Sequence, residues 1–189
     1  MTQRLKLEPS PISQTHVAKV FSPVCECDTH AAAIDFTLRR ADHLRIAVLV
    51  GGRTVTIANR EFRRGAVHVA WNGRGATGSV VPDGVYYPVV HLQRAGRTID
   101  LPNPIRVDTV PPTIAFLNSS TSGKKTIFRY RTSEPAHALL FVNGRRRIYT
   151  YSTRRLGRLA LYGRLSATMR LVLAAEDLAG NRSVGVPVG

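Results

Sequence analysis

Cys25-x-Cys27-x-x-His30 is the constellation in this chain whose residue types match metal chemistry, and it contains both of the chain's cysteines. Thiolates and an imidazole suit zinc or copper, and one short loop can present all three. The set lacks a fourth ligand, and its spacing differs from the usual Cys-x2-Cys, so no metal is expected. A local disulfide across one residue and a pair of ordinary loop thiols are the competing readings.

A second chemistry resides in arginine. The 27 basic side chains are four Lys and twenty-three Arg, and against 12 acidic ones they leave a formal charge of +15. Residues 1–108 hold fourteen basic and nine acidic residues, whereas residues 109–189 hold thirteen and three, a net of +10. The excess is densest at Arg145, Arg146, Arg147, Arg154, Arg155, Arg158 and Arg164. Guanidinium forks match phosphate and carboxylate oxygens, so a polyanion-binding face in the second half is one reading. A solvated surface in which Arg has replaced Lys is the other. It is favoured because no nucleic-acid-binding motif accompanies the charge.

Gly73-x-Gly75-x-x-Gly78 spells a dinucleotide fingerprint. That fingerprint works only where a helix begins and its N-terminus meets the pyrophosphate, and here Pro82 and Gly84 follow at once. Six histidines (His16, His30, His43, His68, His91, His137) stand in no nucleophile signature, and His68 and His91 fall on the polar phase of alternating segments. Glu176-Asp177 is expected to hydrogen-bond the backbone of a turn. Neither a catalytic site nor a cofactor is expected.

The elements that must position these residues are strands. Ile34, Phe36 and Leu38 alternate with polar neighbours, as do Leu44 to Val50 and Val67 to Trp71. Val85 to Leu92, Thr98 to Leu101, Thr126 to Tyr130, Ala138 to Val142 and Arg170 to Ala174 continue the pattern. Period-two runs bounded by Gly, Asn, Asp and Pro predict half-buried strands, and Gly51-Gly52 and Asn143-Gly144 suit primed hairpin turns. No helical periodicity is found, so the expected class is all-β, an antiparallel sandwich. A 43% hydrophobic chain can bury a core, and no apolar run reaches the roughly 18 residues of a membrane-spanning helix.

Prolines at 102, 104, 111 and 112 separate two strand-rich halves, and the halves are alike. An ungapped slide of 92 residues sets Phe36 on Phe128, Leu38 on Tyr130, Val48 on Leu140, Val50 on Val142 and Gly52 on Gly144. Two tandem domains are expected, 18–108 and 109–189, preceded by an extended leader over 1–17. The opening residues lack the apolar core of a signal peptide, so any export signal is expected upstream of Met1 or to have been trimmed.

Within 20–108, Val20-Phe21-Ser22-Pro23 opens the domain, and Trp71-x-Gly73, Gly78, Val81-Pro82 and Gly84-x-Tyr86 close it. This pattern resembles the Ig-like domain of the flagellar hook-capping protein family. Asp108-Thr109-Val110-Pro111-Pro112, Ser133-Glu134-Pro135 and Asp177-Leu178-Ala179-Gly180-Asn181 resemble the junction, strand-opening and closing motifs of bacterial Ig-like repeats. The resemblance implies a non-enzymatic module of an exported or surface-tethered bacterial protein, a spacer, scaffold or binder of protein or cell-wall polymer. The alternative is a polyanion binder, of nucleic acid or anionic wall polymer, acting through the Arg-rich second domain. Acidic positions at which the family could hold calcium are here Val24 to His30 and Asn72 to Ala76, so no calcium site is carried over.

Overall fold

The computed structural model describes residues 9–188, and every regular element among them is a strand. The chain divides into two compact units at Asp108–Thr109, with the short Cys25–Cys27 segment counted with the second.

In the first unit, β1 (Ile12–Val17), β3 (Ala32–Leu38) and β6 (Gly65–Trp71) form one antiparallel sheet in the order β1-β3-β6. A second sheet has the order β5-β4-β8-β9, from β4 (Asp42–Val50), β5 (Arg53–Phe62), β8 (Pro88–Leu92) and β9 (Arg97–Asp100). Alternate residues point inward, so Ile34, Phe36 and Leu38 of β3 join Leu44, Ile46 and Val48 of β4 in one core. Each such side chain contributes about 1.5–3 kcal/mol by leaving water. A short third sheet links β2 (Val20–Phe21), β10 (Ile105–Val107) and β7 (Gly84–Tyr86), with β2 and β10 parallel.

Two expectations need correction here. Residues 1–8 of the expected leader lie outside the described residues, but its remainder is not a leader, because Ile12–Val17 is a paired strand with Ile12 and Val17 in the core. Its alternation is hidden by a bulge: Gln14 has φ 52°, and the register against β3 shifts between Ser13 and His16. The expected single strand Val85–Leu92 is also two, since β7 pairs with β10 while β8 pairs with β4.

The second unit repeats the plan. One sheet runs β11-β12-β15, built from β11 (Ile114–Ser122), β12 (Lys125–Thr132) and β15 (Leu156–Tyr162). The other runs β14-β13-β16-β17, from β13 (His137–Val142), β14 (Arg145–Tyr149), β16 (Leu171–Glu176) and β17 (Val186–Pro187). Phe128, Tyr130 and Leu159 share a core with Ala138, Leu140, Leu173 and Ala175. The 92-residue offset carries β3 onto β12 and β4 onto β13, and Val48 and Leu140 are each fully buried. Both turns predicted from glycine occur, with φ of 54° and 76° at Gly51-Gly52 and 50° and 78° at Asn143-Gly144. The fold is therefore all-β, two antiparallel sandwiches in tandem.

Candidate functional site

The Trp-to-Tyr stretch builds a structural knot. Trp71 is buried and meets Phe21 and Tyr86 edge-on, with ring centroids 5.5 and 5.2 Å away. Its indole N–H donates to the Arg74 carbonyl at 3.1 Å, and the Tyr86 hydroxyl donates to the Pro82 carbonyl. Burial, and secondarily the Asp83 carboxylate, raises the Tyr86 phenol above its ordinary pKa. Gly73 sits at φ 69° with Pro23 so close that an added Cβ would lie 2.7 Å from its ring. Gly78, at φ 79°, faces open space, and Gly84 opens β7. Residues 72–83 form loops and one isolated bridge, Arg74 to Val80, so no helix follows the glycines to receive a pyrophosphate.

Histidines are engaged across strands. The His68 ring nitrogen lies 2.9 Å from Asp35, His91 lies 2.9 Å from Thr98, and His43 lies 2.9 Å from Asn59. His137 contacts the Thr150 carbonyl and stacks on Tyr149, 4.7 Å between centroids. None of these partners is a Ser or Cys. At the Glu176-Asp177 pair, Glu176 holds Arg182 at 2.7 Å, while the Asp177 carboxylate accepts from both the backbone and the side-chain amide of Asn181.

Cys25 and Cys27 are joined as a disulfide, so the pair presents no thiolate and the Cys25, Cys27, His30 metal set is not assembled in this oxidised state. His30 is exposed in the same loop.

The arginines singled out in the sequence are spread along the second unit. The run Arg145, Arg146, Arg147 lies on β14 of one sheet, Arg158 lies on β15 of the other, and Arg154 and Arg155 occupy the connection between them. The six residues therefore come from three separate segments of the second unit. Arg146 stands over the Tyr149 ring at 5.5 Å, and Arg145 and Arg147 line a cleft with Arg164 and Tyr162.

A different set does converge. On β12, Thr126, Phe128, Tyr130 and Thr132 are buried, which turns Lys125, Ile127, Arg129 and Arg131 outward. The antiparallel register places Arg129 directly opposite Arg158, Arg131 opposite Leu156, and Lys125 opposite Tyr162. On the other flank, Asn118 faces Arg129 and Ser122 faces Lys125. No Asp or Glu lies on β11, β12 or β15, and no ion pair among the described residues involves Arg129, Arg131 or Arg158. Like charges directly opposed on neighbouring strands destabilise a sheet. The repeat shows that the fold does not require them. Ninety-two residues earlier, the same cross-strand pair is Thr37 opposite Ala66, and the neighbouring pair is Asp35 opposite His68.

By contrast, a cleft of the first unit near Arg39, Arg40, Arg94 and Arg97 has carboxylates at hand. Glu61 holds Arg94 with two 2.8 Å bonds, and Asp42 accepts the backbone N–H groups of Arg94 and Ala95.

No family model and no curated protein matches the chain. Among solved structures, it is similar to the fibronectin(III)-like modules of Clostridium thermocellum CbhA, at 12% identity over 94% of this chain and 90% of that one, with a TM-score of 0.49. It is also similar to the BSP domain of a biofilm associated protein (12% identity, 94% of this chain, 29% of that chain, TM-score 0.35). Bovine butyrophilin gives 11% identity over 95% of this chain and all of the other, with a TM-score of 0.35. At such values the fold rests on the strand pairing above, and the function on this chain's own residues.

Proposed function

We propose that this chain is a non-enzymatic module of an exported or surface-tethered bacterial protein, and that it binds an anionic cell-wall polymer through the β11-β12-β15 face of its second sandwich. The opposition of Arg129 and Arg158 in an acid-free sheet face carries the reading. Repulsion of this kind is relieved when a phosphate or carboxylate sits between the guanidiniums, because each fork can then donate to an anionic oxygen. Asn118 and Ser122 add neutral donors beside the cations, and exposed Tyr162 adds a flat apolar surface at the end of the row. The disulfide supports an oxidising compartment, where such bonds persist. Two sandwiches joined through Pro111-Pro112 suit spacing and display.

The test is retention of the full chain on an immobilised glycerol-phosphate polymer as salt is raised. Retention is expected at about 50 mM salt and is lost well before 500 mM, because the contacts release counterions. The double variant Arg129→Thr, Arg158→Ala elutes early, whereas Arg53→Thr, Arg63→Ala, which removes the same charge from exposed sites on the first sandwich, elutes like the parent. Equal elution of the two variants reduces the effect to net charge and refutes the reading. Stronger retention on duplex DNA than on the glycerol-phosphate polymer reassigns the partner to nucleic acid.

A further inference from the structure

We infer that the Cys25–Cys27 disulfide is a thiol–disulfide exchange site whose reaction partner is a neutral or cationic dithiol. This goes beyond the polymer-binding face and stands independently of it.

The bond lies in the connection between β2 and β3, where both cysteines are half-buried and Glu26, Asp28, Thr29 and His30 are exposed. Its contribution to the fold is small for two reasons. A cross-link stabilises by restricting the unfolded chain, and that effect grows with the loop enclosed, which here is closed across a single residue. The connection is also pinned without it. The Ser22 N–H donates to the Thr29 carbonyl at 3.1 Å, outside the disulfide on both sides. Pro23 packs against Gly73, and the chain enters and leaves the core at Phe21 and Ala32, both fully buried. A staple is not needed where the backbone is already closed.

What the pair does provide is chemistry. A thiolate attacks one cysteine sulfur along the S–S axis, a new mixed disulfide forms, the Cys25–Cys27 bond breaks, and its electron pair leaves on the other cysteine as a thiolate. Because that thiolate is tethered one residue away, it returns to the mixed disulfide and expels a monothiol. Net reaction therefore needs a dithiol. Its second thiolate attacks the mixed disulfide, the partner leaves oxidised as a disulfide, and Cys25 and Cys27 remain reduced, having taken up the two protons the partner gave up. Selectivity follows from charge. Glu26 and Asp28 flank Cys27 in a chain whose net charge is otherwise strongly positive. Two carboxylates beside the attacked sulfur repel an anionic thiolate carrier and attract a cationic one, an effect screened by salt.

The experiment reduces the full-length chain under native conditions, traps free thiols by alkylation, and follows Trp71 fluorescence in the same samples. Dithiothreitol is expected to open the pair without denaturant while the Trp71 emission keeps its native position. In Cys27→Ser, the Cys25 thiolate is expected to attack added cystamine, forming a mixed disulfide at Cys25 that persists and releasing one cysteamine as the leaving thiol. For monothiols acting on the parent chain, formation of the alkylatable mixed-disulfide state is compared per thiolate. Cysteamine exceeds mercaptoethanesulfonate by at least about threefold at low salt, and the two converge at 1 M salt. A pair that resists dithiothreitol until denaturant is added, or whose opening shifts the Trp71 emission, is a structural staple and overturns the inference. Equal rates for the two monothiols at low salt overturn the charge selectivity.

Discussion

Replacing Arg129 with Thr should stabilise the second sandwich while weakening polymer binding. The substitution installs the residue found at the equivalent position of the first sandwich, where Thr37 faces Ala66. Arg129 and Arg158 are directly opposed on adjacent antiparallel strands. With the flexible side chains splayed to about 7 Å, two unit charges in water repel by about 0.6 kcal/mol. Measured cross-strand pairs span about 0.2–1 kcal/mol, so a gain near 0.5 kcal/mol is expected. For a domain of this size that is a rise of roughly 2–4 °C in Tm. Calorimetry of the full chain at about 20 mM salt reads the gain, and at about 1 M salt, where the screening length falls to roughly 3 Å, the electrostatic part disappears. Arg158→Ala relieves the same repulsion, so the double variant gains less than the sum of the singles. Additive gains, a gain that is unchanged by salt, or a loss of stability at low salt would each refute the reasoning. A substitution that raises Tm and lowers retention together marks Arg129 as a residue kept for binding.

Three further outcomes are expected. Gly73→Ala should cost at least about 2 kcal/mol, since it meets both a left-handed φ and the Pro23 ring, whereas Gly78→Ala, at a similar φ in open space, should cost about 1 kcal/mol. Chemical denaturation of the two variants checks the difference, and equal losses would show that Pro23 yields. Asp177→Ala should destabilise the second unit by about 1–3 kcal/mol, because buried Asn181 loses its 2.8 Å partner; a smaller loss measured by urea unfolding would show that water replaces it. Burial raises the Tyr130 phenol above its ordinary pKa of 10.0, with Thr150 and Arg154 opposing. The folded chain then holds that proton where the unfolded chain releases it, so stability is intact below pH 10 and falls as pH rises through the folded value. Tyr130→Phe should flatten that alkaline decline in a Tm-against-pH series, and an unchanged slope would locate the titration elsewhere.

Much of this molecule is legible in its residues, for a local reason. Side-chain parity in a strand is decided by neighbours in sequence, so Ile34, Phe36 and Leu38, or Leu44, Ile46 and Val48, announce a buried face directly. Turn chemistry is equally local, which is why Gly51-Gly52 and Asn143-Gly144 were readable from glycine and asparagine alone. The 92-residue repeat follows from the same positions. Where parity breaks, the sequence goes silent. A bulge at Gln14 hides β1, and the edge strand β5 is too exposed to alternate.

The sequence by itself thus determined the all-β class, the tandem repeat, the Trp71 to Tyr86 stretch and the excess of positive charge in the second half. Only the tertiary structure decided which of those charges face one another. The conspicuous run Arg145-Arg146-Arg147 lies exposed on the edge strand β14, while Arg129 and Arg158, far apart in sequence, are set face to face by the register between β12 and β15. Register is a property of pairing between distant segments, and no local pattern reports it. The same holds for Cys25 and Cys27. Their spacing permits a metal, two thiols or a disulfide, and it is the loop's folded path, with the Cα atoms 5.3 Å apart, that brings the sulfurs together.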